Sequence, residues 1–175
     1  LQYIADPTDL SRAEAEALLA GIVLDTKNFT MRTGGRTFEA AAFLRRSGAD
    51  TGDVKKLFQN DLEGTIAKYA IIQNAKLYRE KIAIAVVDHT VGRIVAAQAA
   101  DELLNIIGID TSFVLYPDGE RVIISARSMG DTNVQVILEK LGGGGNAAAA
   151  GGQISGKSLS QVATELTQAI DQYLE

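Results

Sequence analysis

The sequence predicts an α/β fold with a mixed sheet, preceded by a mainly helical segment. Three observations carry that prediction. Apolar residues recur at helical spacing through the first third of the chain. From Ile82 onward, short apolar runs alternate with helical periods. Pro117-Asp118-Gly119-Glu120 then separates two β-type runs with the residues of a hairpin turn.

Each element follows from local chemistry. Ser11 and Glu14 have capping-box spacing, and Ala15, Leu18, Leu19, Ile22 and Val23 then share one helix face until the pattern stops near Leu24-Asp25-Thr26. A second helix spans residues 37–46, with Gly48 suited to a left-handed cap; a short third starts at Thr51 or Asp53 and runs through Phe58; a fourth runs from Asp61 to Ala75. Residues 76–81, Lys-Leu-Tyr-Arg-Glu-Lys, read as a charged interruption. Ile82 to Val87 is nearly all apolar, as in a strand covered on both faces. Residues 93–107 form an Ala/Leu/Ile-rich helix ending at Gly108. Ser112–Tyr116 and Arg121–Ser125 are the hairpin strands, and Asn133–Leu141 is a helix running into glycines. After one more short strand, Ser158 caps a last helix carried by Leu159, Val162, Ala163, Leu166, Ala169, Ile170 and Tyr173. The expected division is a helical unit over 1–60, a linker helix over 61–80 and an α/β lobe over 81–175.

Composition narrows the chemistry. The 175 residues are 46% apolar and 22% charged, which are globular values. The absence of cysteine excludes disulfide scaffolds, thiolate metal sites and thiol nucleophiles. A formal charge of −5 argues against a broad grip on duplex nucleic acid. No apolar run reaches the ~20 residues of a membrane span, and no signal peptide is visible. The chain opens on Leu1 rather than Met, so we expect a piece of a longer protein.

Four segments could carry function. Residues 142–152 hold six glycines, one Asn and four alanines. The run Gly142-Gly143-Gly144-Gly145 is either a linker or helix cap, or a close-approach loop whose amides hold an anion, with Asn146 and the alanines starting a helix aimed at the same place. It lacks the Ser or Lys of a P-loop and the G-x-G-x-x-G pattern. Arg127 offers a planar fork for phosphate, or makes a structural ion pair; the helix between it and the glycines can bring both to one rim. Asp25 is a metal ligand at a cleft lip or an ordinary helix-end residue, and Arg32, Thr33, Arg36 and Thr37 nearby form a donor cluster or a solvated loop. Asp88-His89 suggests a dyad, but a lone histidine after a strand is more often structural, and no Ser-His-Asp triad can be built from it.

Taken together, Ala20–Phe29, Arg32–Ala41, Ser125–Ser128 and Gly142–Gly145 resemble the DHH-type phosphoesterases, and within them the GdpP-like cyclic-di-AMP phosphodiesterases. The resemblance covers almost the whole chain. It implies that residues 1–60 are the helical remnant of a DHH metal-binding lobe and residues 81–175 the DHH-associated nucleotide-binding lobe. It implies that Asp25 belongs to the fourth metal motif. Arg127 and Ser128 match the arginine-serine element, and Gly142, Gly143, Gly144 and Gly145 the glycine run. Asn146 follows where the family commonly has His, and Asn can never carry positive charge. No catalytic residue is assigned. The family's first three metal motifs lie upstream of Leu1.

The function so implied is the substrate-holding part of a manganese-dependent phosphodiesterase that hydrolyses cyclic-di-AMP to the linear dinucleotide through a two-metal site, the chain alone being inactive. The alternative is a non-catalytic nucleotide-binding sensor. The implied partner is a cyclic dinucleotide and not duplex nucleic acid. Helices at 11–24 and 61–75 would favour a homodimer if their covering sheet were absent. The resemblance places the parent at the cytoplasmic face, with a membrane anchor only in an N-terminal region outside this chain.

Overall fold

The computed structural model describes residues 9–130 and 132–175. The chain divides between Asn60 and Asp61 into two compact units.

The first unit holds helices α1 (Arg12–Asp25), α2 (Gly35–Arg46) and α3 (Thr51–Lys56). The Ser11–Glu14 capping box forms as its spacing predicts, with the Ser11 amide donating to the Glu14 carboxylate at 2.9 Å. α3 starts at Thr51, with Asp50 as its cap accepting the Gly52 and Asp53 amides. Ala15, Leu19, Phe43, Leu44, Ala49 and Val54 form the core of this unit. Gly48 takes a φ of 101° at the end of α2, where a side chain would be strained.

The turn after α1 is unusual. Lys27, Asn28 and Phe29 all have positive φ (47°, 56° and 63°), a conformation disfavoured by roughly 1–2 kcal/mol per L-residue. Thr26 holds it in place. Its buried hydroxyl donates to the Ile22 carbonyl at 2.7 Å and accepts the Phe29 amide at 2.9 Å, while its carbonyl accepts the Thr30 and Met31 amides.

The second unit is a six-stranded sheet in the order β1-β2-β3-β4-β6-β5. Its strands are β1 (Ala75–Tyr78), β2 (Ile82–Val86), β3 (Thr111–Asp118), β4 (Arg121–Ser128), β5 (Gly144–Gly145) and β6 (Ala149–Ser155), and its helices are α4 (Leu62–Gln73), α5 (Arg93–Leu103), α6 (Val134–Glu139) and α7 (Leu159–Leu174). Only β2 and β3 are parallel, and α5 supplies their crossover. Two cores sandwich the sheet. α6 and α7 cover Phe113, Leu115, Val122, Ile124 and Ala126 on one face. On the other, α4 and the alanine stripe of α5 (Ala96, Ala99, Ala100) cover Ala83, Ala85, Val114, Tyr116 and Ile123.

Two expectations are corrected. The supposed interruption at 76–81 contains strand β1, with Tyr78 opposite Ile82. The turn was hidden because Arg79 and Glu80 supply the left-handed positions (φ 49° and 63°) that Gly or Asn normally mark. Residues 61–78 therefore contribute a helix and an edge strand to the second unit's own layers. The second correction is that Asn146 and the alanines start no helix. They form the tip of the β5–β6 hairpin, because Ala149 and Ala150 pair with Arg127 and Ala126 of β4.

Replacing Thr26 by Val keeps its shape and removes both hydroxyl bonds. Hydrogen exchange at the Phe29, Thr30 and Met31 amides is expected to accelerate about tenfold or more, in line with a loss of roughly 1–3 kcal/mol. Unchanged protection would mean that the turn is held by other contacts.

Candidate functional site

Strand alternation sorts the candidate residues. Along β4, Val122, Ile124 and Ala126 face α6 and α7, whereas Ile123 faces α4 and α5. By the same period, Ser125 and Arg127 share the face of Ile123, and Ser128 lies on the opposite one.

The register then lays out the face in rows. Tyr116, Ile123 and Gln153 lie side by side across β3, β4 and β6. Val114, Ser125, Gly151 and Gly144 form the next row, and Ser112, Arg127 and Ala149 the one after. α5 covers this face only over the early strands. Beyond it, Gly151 and Gln153 of β6 are exposed. The result is an open hollow of about 540 Å³, lined by Arg93, Tyr116, Ser125, Gly144, Gly151 and Gln153 among others, a size in the range of ligand sites.

α5 forms one wall of this trough. At its first residue, Arg93 lines the hollow and pairs with Asp118 at 3.8 Å. Eight residues later, ~12 Å along the helix, Asp101 accepts the Arg127 Nε–H at 3.2 Å. Ile123 and Arg127 are likewise ~13 Å apart along β4. Arg127 is thus held at one end of the trough, its fork turned toward α5 by Asp101 and its own Ala126 carbonyl (2.9 Å), and it is not among the residues lining the hollow itself. At the other end stands Tyr116, fully buried. Its hydroxyl is the one buried side-chain polar atom without a hydrogen-bond partner among the described residues. Burial pushes that hydroxyl's pKa up, against the pull of the nearby Arg93 charge.

The four glycines have different reasons to be glycine. Gly142 ends α6 at a φ of 78°, with the Gly143 amide donating to the Leu138 carbonyl at 2.8 Å and the Gly142 amide to the Glu139 carbonyl at 3.1 Å, so the cap reading holds there. A Cβ on Gly143 would lie 2.5 Å from the Gly151 carbonyl oxygen, and one on Gly145 would lie 2.4 Å from that of Ala149. Those two positions are closed by backbone. Gly144 is different: a Cβ there meets nothing within 4 Å, and the residue lines the hollow. It is the position where side-chain absence keeps the trough open.

The structure therefore brings Arg127 and Gly144 of the glycine run to one face and separates them from Ser128. The Ser128 side chain is buried on the other face, its hydroxyl 3.5 Å from that of Thr111 and accepting the Gly130 amide at 3.3 Å. Asn146 lies opposite Ala149, and hence in the row of Arg127. Its side-chain oxygen is committed to the hairpin tip, accepting the Ala148 and Ala149 amides at 3.0 and 2.9 Å. Asp88 and His89 are exposed and bond each other at 3.0 Å, a contact that, with a bond from the Asp88 backbone amide, holds the Asp88 carboxyl below its usual range. Sequence reasoning missed Tyr116 and Arg93. An apolar strand made Tyr116 look like ordinary core, and only its unpartnered hydroxyl singles it out.

In the first unit, Asp25 is the last residue of α1, exposed, with Arg32 at 3.5 Å. The Thr33 hydroxyl donates to the Met31 carbonyl and that of Thr37 accepts the Gly34 amide, so both serve the loop and the α2 cap. No group of three or more His, Cys, Asp or Glu side chains that could hold a metal ion occurs among the described residues. One exposed carboxylate beside a guanidinium does not make a two-metal centre, and no hydrolytic step is derived from this chain.

The sheet is mixed, with helices closing one face and a glycine hairpin leaving part of the other open. The chain belongs to the DHHA1 domain family, whose match spans residues 79–175. It is similar to the cyclic-di-AMP phosphodiesterase PdeA of Listeria monocytogenes (43% identity over 98% of this chain and 27% of that protein). It is equally similar to the cyclic-di-AMP phosphodiesterase GdpP of Bacillus subtilis (43% identity over 100% of this chain and 27% of that protein). The chain thus spans about a quarter of the length of these relatives. Its fold is similar to the crystal structure of an exopolyphosphatase-related protein from Bacteroides fragilis, with a TM-score of 0.87 at 22% identity, covering 98% of this chain and 54% of that one.

The glycine series separates closed from open positions. Gly143→Ala and Gly145→Ala are expected to lower unfolding stability by roughly 2 kcal/mol or more, because backbone must move; Gly144→Ala should stay within about 1 kcal/mol of the parent. Denaturant unfolding of the three variants checks this, and equal losses would contradict the assigned close approaches.

Proposed function

We propose that the second unit is the nucleotide-holding lobe of a phosphodiesterase acting on cyclic-di-AMP, releasing the linear dinucleotide, and that the chain alone does not catalyse. The observation that carries this is the trough. An unsubstituted backbone strip at Gly144 and Gly151 lies on the same strand face as Arg127, and the α5 wall runs between two arginines. The names of the 43%-identical relatives support the substrate class.

In this role Arg127 orients a phosphate. Asp101 and the Ala126 carbonyl use two of its donor directions and fix the fork, leaving the remaining N–H groups for phosphate oxygens. Orientation by a pre-set guanidinium avoids reorganisation when the ligand arrives. Gly144 lets the ligand lie against backbone, and the amide edge of Asn146 lies in Arg127's row as a neutral donor. Ser128 acts through structure alone, tying β4 to the Gly130 turn. We further propose that Asp25, presented by the left-handed turn after α1, contributes one oxygen to a divalent-cation site completed by residues outside this chain, manganese being the cation the resemblance favours. We also propose, on that same resemblance, that the parent acts at the cytoplasmic face.

Calorimetry with cyclic-di-AMP and with its linear product tests the pocket. The chain is expected to bind at least one of them, and Arg127→Ala to weaken it about 10- to 100-fold, as for loss of a charged hydrogen bond worth roughly 1.5–3 kcal/mol. No heat with either nucleotide overturns the proposal. Incubation of the purified chain with cyclic-di-AMP and manganese is expected to yield no linear dinucleotide, and turnover would refute the divided metal site.

A further inference from the structure

Arg127 is only as well placed as the carboxylate that turns it, and Asp101 stands in the last turn of α5, where helices fray. The backbone tightens there. The Leu104, Asn105 and Ile106 amides reach back three residues, to the Asp101, Glu102 and Leu103 carbonyls at 3.2, 3.0 and 3.2 Å. The turn also breaks a local rule. Asp101 and Glu102 put two carboxylates at the negative end of the helix dipole, and no basic residue in that turn offsets them. Three consecutive residues are instead gripped from other elements. The Ala100 carbonyl, left by the Leu104 amide, accepts the Ser112 hydroxyl at 2.6 Å; Ser112 is fully buried on β3 and lies opposite Arg127 in the register. Asp101 holds Arg127. Glu102 accepts the Lys68 ammonium of α4 at 3.1 Å, and the Lys68 side chain is only 13% exposed, its ammonium also 5.0 Å from the centre of the Tyr69 ring. Neither Ser112 nor Lys68 lines the hollow.

We infer that Ser112 and Lys68 are positioning residues for Arg127: they clamp the last turn of α5 on either side of Asp101, so that Asp101 keeps the guanidinium set for a phosphate. The inference rests on the nucleotide reading of the trough and deepens it, naming residues that govern the site without touching the ligand. A buried hydroxyl and a nearly buried ammonium each have one favourable partner here, so each fixes one side of the turn. Without them the turn keeps only its tightened backbone bonds, and Asp101 moves with it. A displaced carboxylate leaves Arg127 several orientations to choose among. Binding is then weakened by lost preorganisation although no ligand contact has been removed.

Two readouts on the intact chain test this. The first is NMR hydrogen exchange of the arginine Nε–H protons in mildly acidic buffer, the Arg127 signal being assigned by its loss in Arg127→Ala. Lys68→Met and Ser112→Ala are each expected to speed exchange at Arg127 about threefold or more. The Nε–H protons of Arg12 and Arg79, bonded to Glu16 and Asp171, should keep their rates. The second is calorimetric affinity for the linear adenine dinucleotide. Each variant is expected to weaken it about three- to tenfold in the parent and not to weaken it further in Arg127→Ala. Ser112→Ala strands a buried carbonyl and lowers the melting temperature, whereas Lys68→Met frees a carboxylate that water already reaches, so the second variant remains folded if the first does not. Unchanged exchange at Arg127 in Lys68→Met overturns the inference and leaves the nucleotide reading intact. So does faster exchange at all three arginines, unchanged affinity, or weakening that persists in Arg127→Ala. Faster exchange at Arg127 alone, in a parent chain that binds no nucleotide, overturns the nucleotide reading and leaves the clamp on Arg127 standing.

Discussion

The approach of β5 to β6 sets the shape of everything around it. Gly143 and Gly145 sit so close to the Gly151 and Ala149 carbonyls that a Cβ would lie within 2.5 Å of oxygen. Two strands packed that tightly at a sheet edge carry almost no side-chain bulk. The face they present is backbone, and no helix of the second unit closes over it, since α4 and α5 are spent on β1 to β3 and part of β4. An open, flat, polar-edged surface beside a well-packed sheet follows directly. The glycines lose much backbone entropy on ordering, and the Leu138 carbonyl, the β6 ladder and the Asn146 tip supply the hydrogen bonds that offset it.

The period of β4 is the second constraint. Because successive side chains point to opposite faces, Arg127 and Ser128 cannot serve one ligand, however naturally they pair in sequence. Ser128 is committed to the face of α6 and α7, and Arg127 to the trough. A dipeptide that matches a family element as a unit is therefore split by geometry into one side chain that reaches the open face and one that steadies the strand carrying it.

Electrostatics explains how an acidic chain can still host an anion. The net charge is −5, yet the trough is bordered by two arginines, each anchored by a single carboxylate: Arg93 by Asp118 and Arg127 by Asp101. The carboxylates fix the forks in place and temper the field, so that attraction is local and does not extend to a general affinity for polyanions. Such an arrangement favours a small ligand that satisfies donors at close range over a polymer held by counterion release.

Much of this was legible in the residues themselves. The capping box at Ser11, the N-cap at Ser158, the C-caps at Gly48 and Gly142, the β3–β4 hairpin and the helix periods are all local, set by contacts a few residues apart, and they formed as their patterns indicate. Arg127 and the glycine run could be nominated because guanidinium and bare backbone are rare enough to mark. Strand β1 could not, since its turn uses Arg79 and Glu80 where only tertiary packing of Tyr78 on α7 tells the chain to reverse. Nor could the fate of Asn146, which a helix and a hairpin tip suit equally until β4 offers its edge. What the sequence determined alone was the set of elements and the groups able to meet an anion, because these depend on near neighbours. The sheet order, the face each residue occupies and the unpaired Tyr116 hydroxyl were decided only in three dimensions, because register couples residues that lie far apart along the chain.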